Sequence, residues 1–82
     1  VNHLVAPGEA LNTAIELANK IATSAPMAVA ASRRVVLAAA YESDENLIKM
    51  TNAEFAPILK SEDTKEGLTA FIEKRAPQWK GR

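Results

Sequence analysis

The stretch Ser61–Pro77 admits one local structure, a capped helix with a proline stop. Ser61 can accept hydrogen bonds from the first free backbone N–H groups of a helix. Glu62 and Asp63 then place negative charge where the helix dipole is positive, and Lys74 and Arg75 place positive charge at the other end. Pro77 cannot continue a helix, so the chain is expected to turn out near Ala76. This predicts a helix from about Glu62 to Arg75 with Gly67 inside it. A helix-interior glycine costs ~1 kcal/mol relative to alanine. Leu68 and Phe71 beside it are packing residues, so another backbone is expected to come close at Gly67, as at a helix crossing.

Three more helices are predicted upstream. Leu11, Ala14, Ile15, Ala18, Ile21 and Ala22 recur at three- and four-residue spacing, one face of a helix. Ser24-Ala25-Pro26 breaks that pattern, and Pro26 suits the first position of the next helix, where its missing N–H is no loss. From Met27 to Tyr41 nothing breaks a helix, and the many alanines permit close packing. Arg33 and Arg34 should reach solvent or a carboxylate. Ser43 is the expected cap of a third helix carrying Leu47, Met50, Phe55, Ile58 and Leu59, which Pro57 should kink or end. Before all of these, Val1–Val5 favours extended structure and Ala6-Pro7-Gly8-Glu9 a turn. The expected fold is therefore all-α: about four helices after a short extended N-terminal segment, with residues 1–8 the end of a truncated strand and turn.

The chain has 82 residues, one small domain at most. Apolar residues make up 48%, but many are alanine and aromatics only 5%, so the apolar area gained per buried residue is low. The helices should need contacts with something else. Ten basic residues balance ten acidic ones, so no global field favours nucleic acid or an anionic membrane. No apolar run approaches the ~18 residues of a membrane span. The absence of cysteine fits a reducing compartment, and a cytoplasmic location is expected.

Little here carries chemistry. His3 is the sole histidine, and a zinc site needs three or four ligands, so no metal site is expected. No serine lies in a nucleophile-elbow context, and Gly8, Gly67 and Gly81 are too far apart for a phosphate loop. Glu62 and Glu66 share a helix face but read as a solvated cap rather than an acid/base pair. Lys74, Arg75, Lys80 and Arg82 surround Trp79, the one basic cluster. Taken alone, these residues favour helix capping and a frayed tail over a nucleotide site.

The order Ser61-Glu62-Asp63, Glu66-Gly67, Ala70-Phe71, Glu73-Lys74-Arg75 and Pro77 resembles the C-terminal end of the crotonase (enoyl-CoA hydratase/isomerase) family. The resemblance extends over Val1–Val5, Ala18–Ala22 and Ser24-Ala25-Pro26. It implies that residues 9–82 are the family's helical C-terminal trimerisation domain. The catalytic residues would then lie in an N-terminal spiral domain upstream, and none in this segment. By the same resemblance, Phe55 and Phe71 would line the adenine or pantetheine region of an acyl-CoA site, and Lys74 would meet a CoA phosphate. Arg75 matches the pattern without gaining a role. The implied activity is hydration of a trans-2-enoyl-CoA to a 3-hydroxyacyl-CoA, in a homotrimer or hexamer, with the CoA thioester as substrate and no separate cofactor. Isomerases and other acyl-CoA enzymes share this tail. The rival reading is a free-standing helical interaction module without a ligand.

Overall fold

Two serine caps and one proline set the helix starts where the sequence places them. In the computed structural model, which describes residues 3–82, four helices follow one another: α1 (Ala10–Ile21), α2 (Pro26–Ala38), α3 (Asp44–Leu59) and α4 (Glu62–Glu73). Ser43 Oγ accepts the Asn46 N–H at 3.2 Å, and Ser61 Oγ accepts the Thr64 N–H at 3.2 Å. Each cap contributes about 1 kcal/mol relative to alanine. Pro26 is the first residue of α2. Pro57 lies in the last turn of α3, which ends two residues later at Leu59.

The ends depart from expectation more than the starts. α2 stops at Ala38 rather than Tyr41; Ala39 is still right-handed, and the Glu42 N–H closes on the Ala38 carbonyl at 2.9 Å. α4 stops at Glu73, ahead of the bend that Pro77 would force. Lys74 adopts the left-handed conformation, φ 55° and ψ 44°. The Arg75 N–H then bonds the Ala70 carbonyl at 3.0 Å, and the Lys74 N–H bonds the Phe71 carbonyl at 3.3 Å. That is a Schellman ending. Glycine usually occupies this position, and a side chain there costs roughly 1–2 kcal/mol. At the N-terminus, Glu9 N–H bonds Ala6 O at 3.1 Å, with Gly8 at φ 85° as a type II turn requires. Val1 and Asn2, which begin the expected strand end, lie outside the described residues, and His3–Val5 pair with no strand among them.

The helices spread into a plate. Its principal extents are 44 × 40 × 17 Å and its radius of gyration is 16.1 Å. A compact domain of this length would have a radius of about 12 Å. With a helix 10–12 Å across, a 17 Å thickness holds fewer than two full layers. No helix can then be covered all round. The buried apolar residues are all small: Ala31 and Ala38 on α2, two turns apart, and Ala70 on α4. α2 packs on α3, and α3 on α4, while α1 buries none of its residues.

The residues after α4 close this plate. Asp63, only 3% exposed, accepts the Lys80 N–H at 2.7 Å and the Gly81 N–H at 2.8 Å, one on each carboxylate oxygen. Its own N–H donates to the Arg82 carbonyl at 3.0 Å. Trp79 lies across Gly67, where an added Cβ would stand 3.2 Å from the ring. The indole Nε1–H donates to the Thr23 carbonyl, at the α1–α2 corner, at 2.9 Å. The backbone expected close to Gly67 is not what approaches it within this chain: the flat indole of the tail fills that space instead. The tail is not frayed, because buried acceptors take up its amide groups.

In the full-length protein, Asp63→Ala should destabilise this region by about 1–3 kcal/mol, because two amides lose their acceptor. Gly67→Leu should cost a similar ~1–3 kcal/mol by pushing the indole out of its seat. Denaturant melts read the stability. Red-shifted Trp79 emission and faster amide exchange at Lys80 and Gly81 locate the loss.

Candidate functional site

Phe71 and Lys74 stand together at the end of α4. They are one turn apart, and the Schellman ending ties the lysine's amide to the phenylalanine's carbonyl. Phe71 is 85% exposed, with Leu68 and Ile72 beside it also exposed. Lys74 is exposed and just outside the helix. Its position follows from the sequence Glu73-Lys74-Arg75, in which no glycine is available to take the left-handed step.

Phe55 belongs elsewhere. It lies on α3 and lines an open, apolar groove of about 360 Å³ between α2 and α3, with Ala31, Val35, Thr51 and Ile58. No α4 residue forms its wall. At its edge Arg34 grips Glu54 through two hydrogen bonds of 2.8 and 2.6 Å. This is the carboxylate that Arg34 was expected to find. The hydrogen bond from Arg34 holds the Glu54 carboxyl below its usual range. Within this chain, therefore, two of the three expected ligand residues adjoin and the third faces a different surface.

The region around Lys74 is crosslinked by charge. Arg75 donates to both oxygens of Glu66 at 2.6 and 3.0 Å, and through Nε to Glu73 at 2.6 Å. Glu66 also accepts the Gln78 N–H at 2.7 Å. The Arg75 guanidinium, followed by the Gln78 amide, holds the Glu66 carboxyl down to about 2. Arg82 pairs with Glu62 at 2.8 Å and likewise lowers its pKa. The solvated cap expected of Glu62 and Glu66 is thus replaced by ion pairs to the returning tail. Sequence reasoning missed these partners because they lie 9, 12 and 20 residues away along the chain. The one local hint was Gly67, a bare helix surface beside a lone tryptophan in the tail. Among the described residues no group of three or more His, Asp or Glu can hold a metal, and His3 is exposed. No helix among them is long and apolar enough to cross a membrane.

The profile of the enoyl-CoA hydratase/isomerase family matches residues 1–82. The chain belongs to this family. It is 44% identical to a carnitinyl-CoA dehydratase of Proteus mirabilis, over 99% of this chain and 33% of that protein. It is 39% identical to a short-chain-enoyl-CoA hydratase of Clostridium acetobutylicum, over 92% of this chain and 29% of that protein. The fold superposes on an enoyl-CoA hydratase of Mycobacterium tuberculosis with TM-score 0.92 and 39% identity, covering 100% of this chain and 32% of the other. An enoyl-CoA hydratase of Mycobacterium marinum gives TM-score 0.92 and 43% identity, covering 100% and 34%. The chain thus spans about a third of the length of these relatives. Its four helices are a helical part of a crotonase-type fold.

The Glu66 contacts set a pH dependence. A carboxyl depressed from 4.5 to about 2 in the folded chain stabilises it fully above the unfolded value. That contribution is lost as pH falls from about 4.5 through about 2. The protection factor of the Gln78 amide, its exchange measured against the intrinsic rate at each pH, should fall over this window in the full-length protein. Glu66→Gln should lower that protection at neutral pH and flatten its response to acid.

Proposed function

We propose that this chain is the helical assembly and ligand-completing part of an enzyme that hydrates a trans-2-enoyl-CoA to a 3-hydroxyacyl-CoA. The observation that carries this reading is the family match along the whole chain, to relatives named hydratase and dehydratase. Adding water beside a thioester carbonyl and removing it are two directions of one reaction. Its chemistry asks for donors that stabilise an enolate oxygen and for a group that moves water's proton. Nothing in residues 3–82 offers a buried acid/base pair, since Glu62 and Glu66 are both engaged by arginines. The catalytic groups belong to an N-terminal spiral domain, and this segment by itself has no activity. The substrate is the CoA thioester, no separate cofactor is needed, and the cytoplasm is the place of action.

Two roles remain for the helices. One is ligand binding: Phe71 supplies an apolar face to the adenine or pantetheine region, and Lys74 meets a CoA phosphate. Phe55, on the other surface, would serve a site built with a second polypeptide. The other role is assembly into a trimer, or trimers paired as a hexamer. The plate exposes Leu11, Ile15, Leu68, Phe71 and Ile72. Apolar side chains in this number are covered in a stable protein by more polypeptide.

The full-length protein should consume the enoyl absorbance of crotonyl-CoA, and residues 1–82 alone should not. Sedimentation at micromolar concentration should give a trimer or a multiple of it. Phe71→Ala should raise KM with kcat little changed, as expected for binding remote from the reacting carbon. A monomeric full-length protein without turnover would instead support a helical interaction module with no ligand.

A further inference from the structure

Lys74 is the only non-glycine residue at positive φ among the described residues. A glycine would take that step without strain. A strained residue persists where its surroundings fix it, and such residues gather at functional sites. The neighbours of Lys74 do fix it. Arg75, next in sequence, is held by Glu66 on two oxygens and by Glu73 on its third nitrogen. Gln78, four residues on, is held by the same Glu66 carboxylate. The Arg75 amide is itself bonded to Ala70. Glu66, Glu73 and Arg75 are thus paired with one another beside the bend. Lys74, exposed at the bend itself, makes no ion pair among the described residues.

We propose that Glu66 is a positioning residue for acyl-CoA binding, which through Arg75 and the Gln78 amide holds Lys74 in the left-handed bend and so presents its ammonium to a CoA phosphate. This rests on the reading of Lys74 as the phosphate ligand. Glu66 touches no substrate; it acts through the Arg75 side chain and the Gln78 amide, both just after Lys74 in the chain. Without it, Arg75 and Gln78 lose their common anchor and the bend frays. The ammonium then samples more positions, and binding must order it again. A phosphate far from the reacting carbon is held equally in ground and transition states, so the loss falls on KM and not on kcat.

The test is a mutant cycle in the full-length enzyme, with crotonyl-CoA and with crotonyl-pantetheine, which lacks the nucleotide phosphates. Lys74→Gly removes the ammonium and suits the left-handed backbone. It should raise KM for crotonyl-CoA about tenfold, as for a lost charge-assisted hydrogen bond, and leave KM for crotonyl-pantetheine unmoved. Glu66→Gln should raise KM for crotonyl-CoA about fivefold, within the usual coupling range, again sparing crotonyl-pantetheine. The double variant should match Lys74→Gly alone. Arg75→Lys keeps the charge but loses the two-pronged grip; it should shift KM in the same direction and serves if Glu66→Gln fails to assemble. If Lys74→Gly leaves KM unchanged, the phosphate reading falls and the proposal with it. If Lys74→Gly acts as expected but the Glu66 effect is absent, adds to it in the double variant, or strikes both substrates alike, the positioning role is overturned while the phosphate reading stands.

Discussion

Asp63 and the three backbone groups around it join the two ends of the helical plate. Its carboxylate takes the amides of Lys80 and Gly81, and its own amide finds the Arg82 carbonyl. A carboxylate that is 3% exposed is held in place only if its lone pairs are satisfied, and here the returning tail satisfies them. The tail in turn carries Trp79 across α4 to the α1–α2 corner. α2 packs on α3 and α3 on α4, so this link closes a circuit that helix packing alone leaves open. The circuit matters because the helices bury no large side chain with which to hold themselves together.

The same thinness explains why the chain presents so much apolar surface. In a plate 17 Å thick, each helix has one face toward its neighbours and another with nothing over it. Alanines take the inner positions, where they let the axes approach, and larger residues such as Leu68, Phe71 and Ile72 are left outside. In a freestanding domain this would be a misassigned pattern. The relatives this chain matches are about three times as long. The candidate ligand residues Phe71 and Lys74 are exposed at the end of α4, beside Leu68 and Ile72.

The helix starts were legible because an N-cap is local: a serine and the N–H three residues later are neighbours in any chain that begins a helix there. Pro26 and Pro57 were legible for the same reason. The family was legible from the run Ser61 to Pro77, and the match to known relatives bears it out. The end of α4 was not. Pro77 signalled a stop, but Lys74 made the turn first, at a residue whose intrinsic preference argues against it. There the Arg75 amide closes on the Ala70 carbonyl, and the Arg75 guanidinium and the Gln78 amide meet on Glu66, contacts that exist only once the tail has folded back.

The sequence by itself therefore determined the number of helices, their starts and the family, since each rests on contacts within a few residues or on a run of adjacent ones. Only the tertiary structure decided the fate of the acidic pair, the tail and the lysine. Glu62 and Glu66 read as solvated until their arginines arrive from 20 and 9 residues away. Trp79 read as a frayed end until Gly67 gave it a seat 12 residues back and Thr23 gave it an acceptor 56 residues back. Charges and hydrogen-bonding groups pair by proximity in space, and no local pattern encodes which distant partner the packed chain will bring to them.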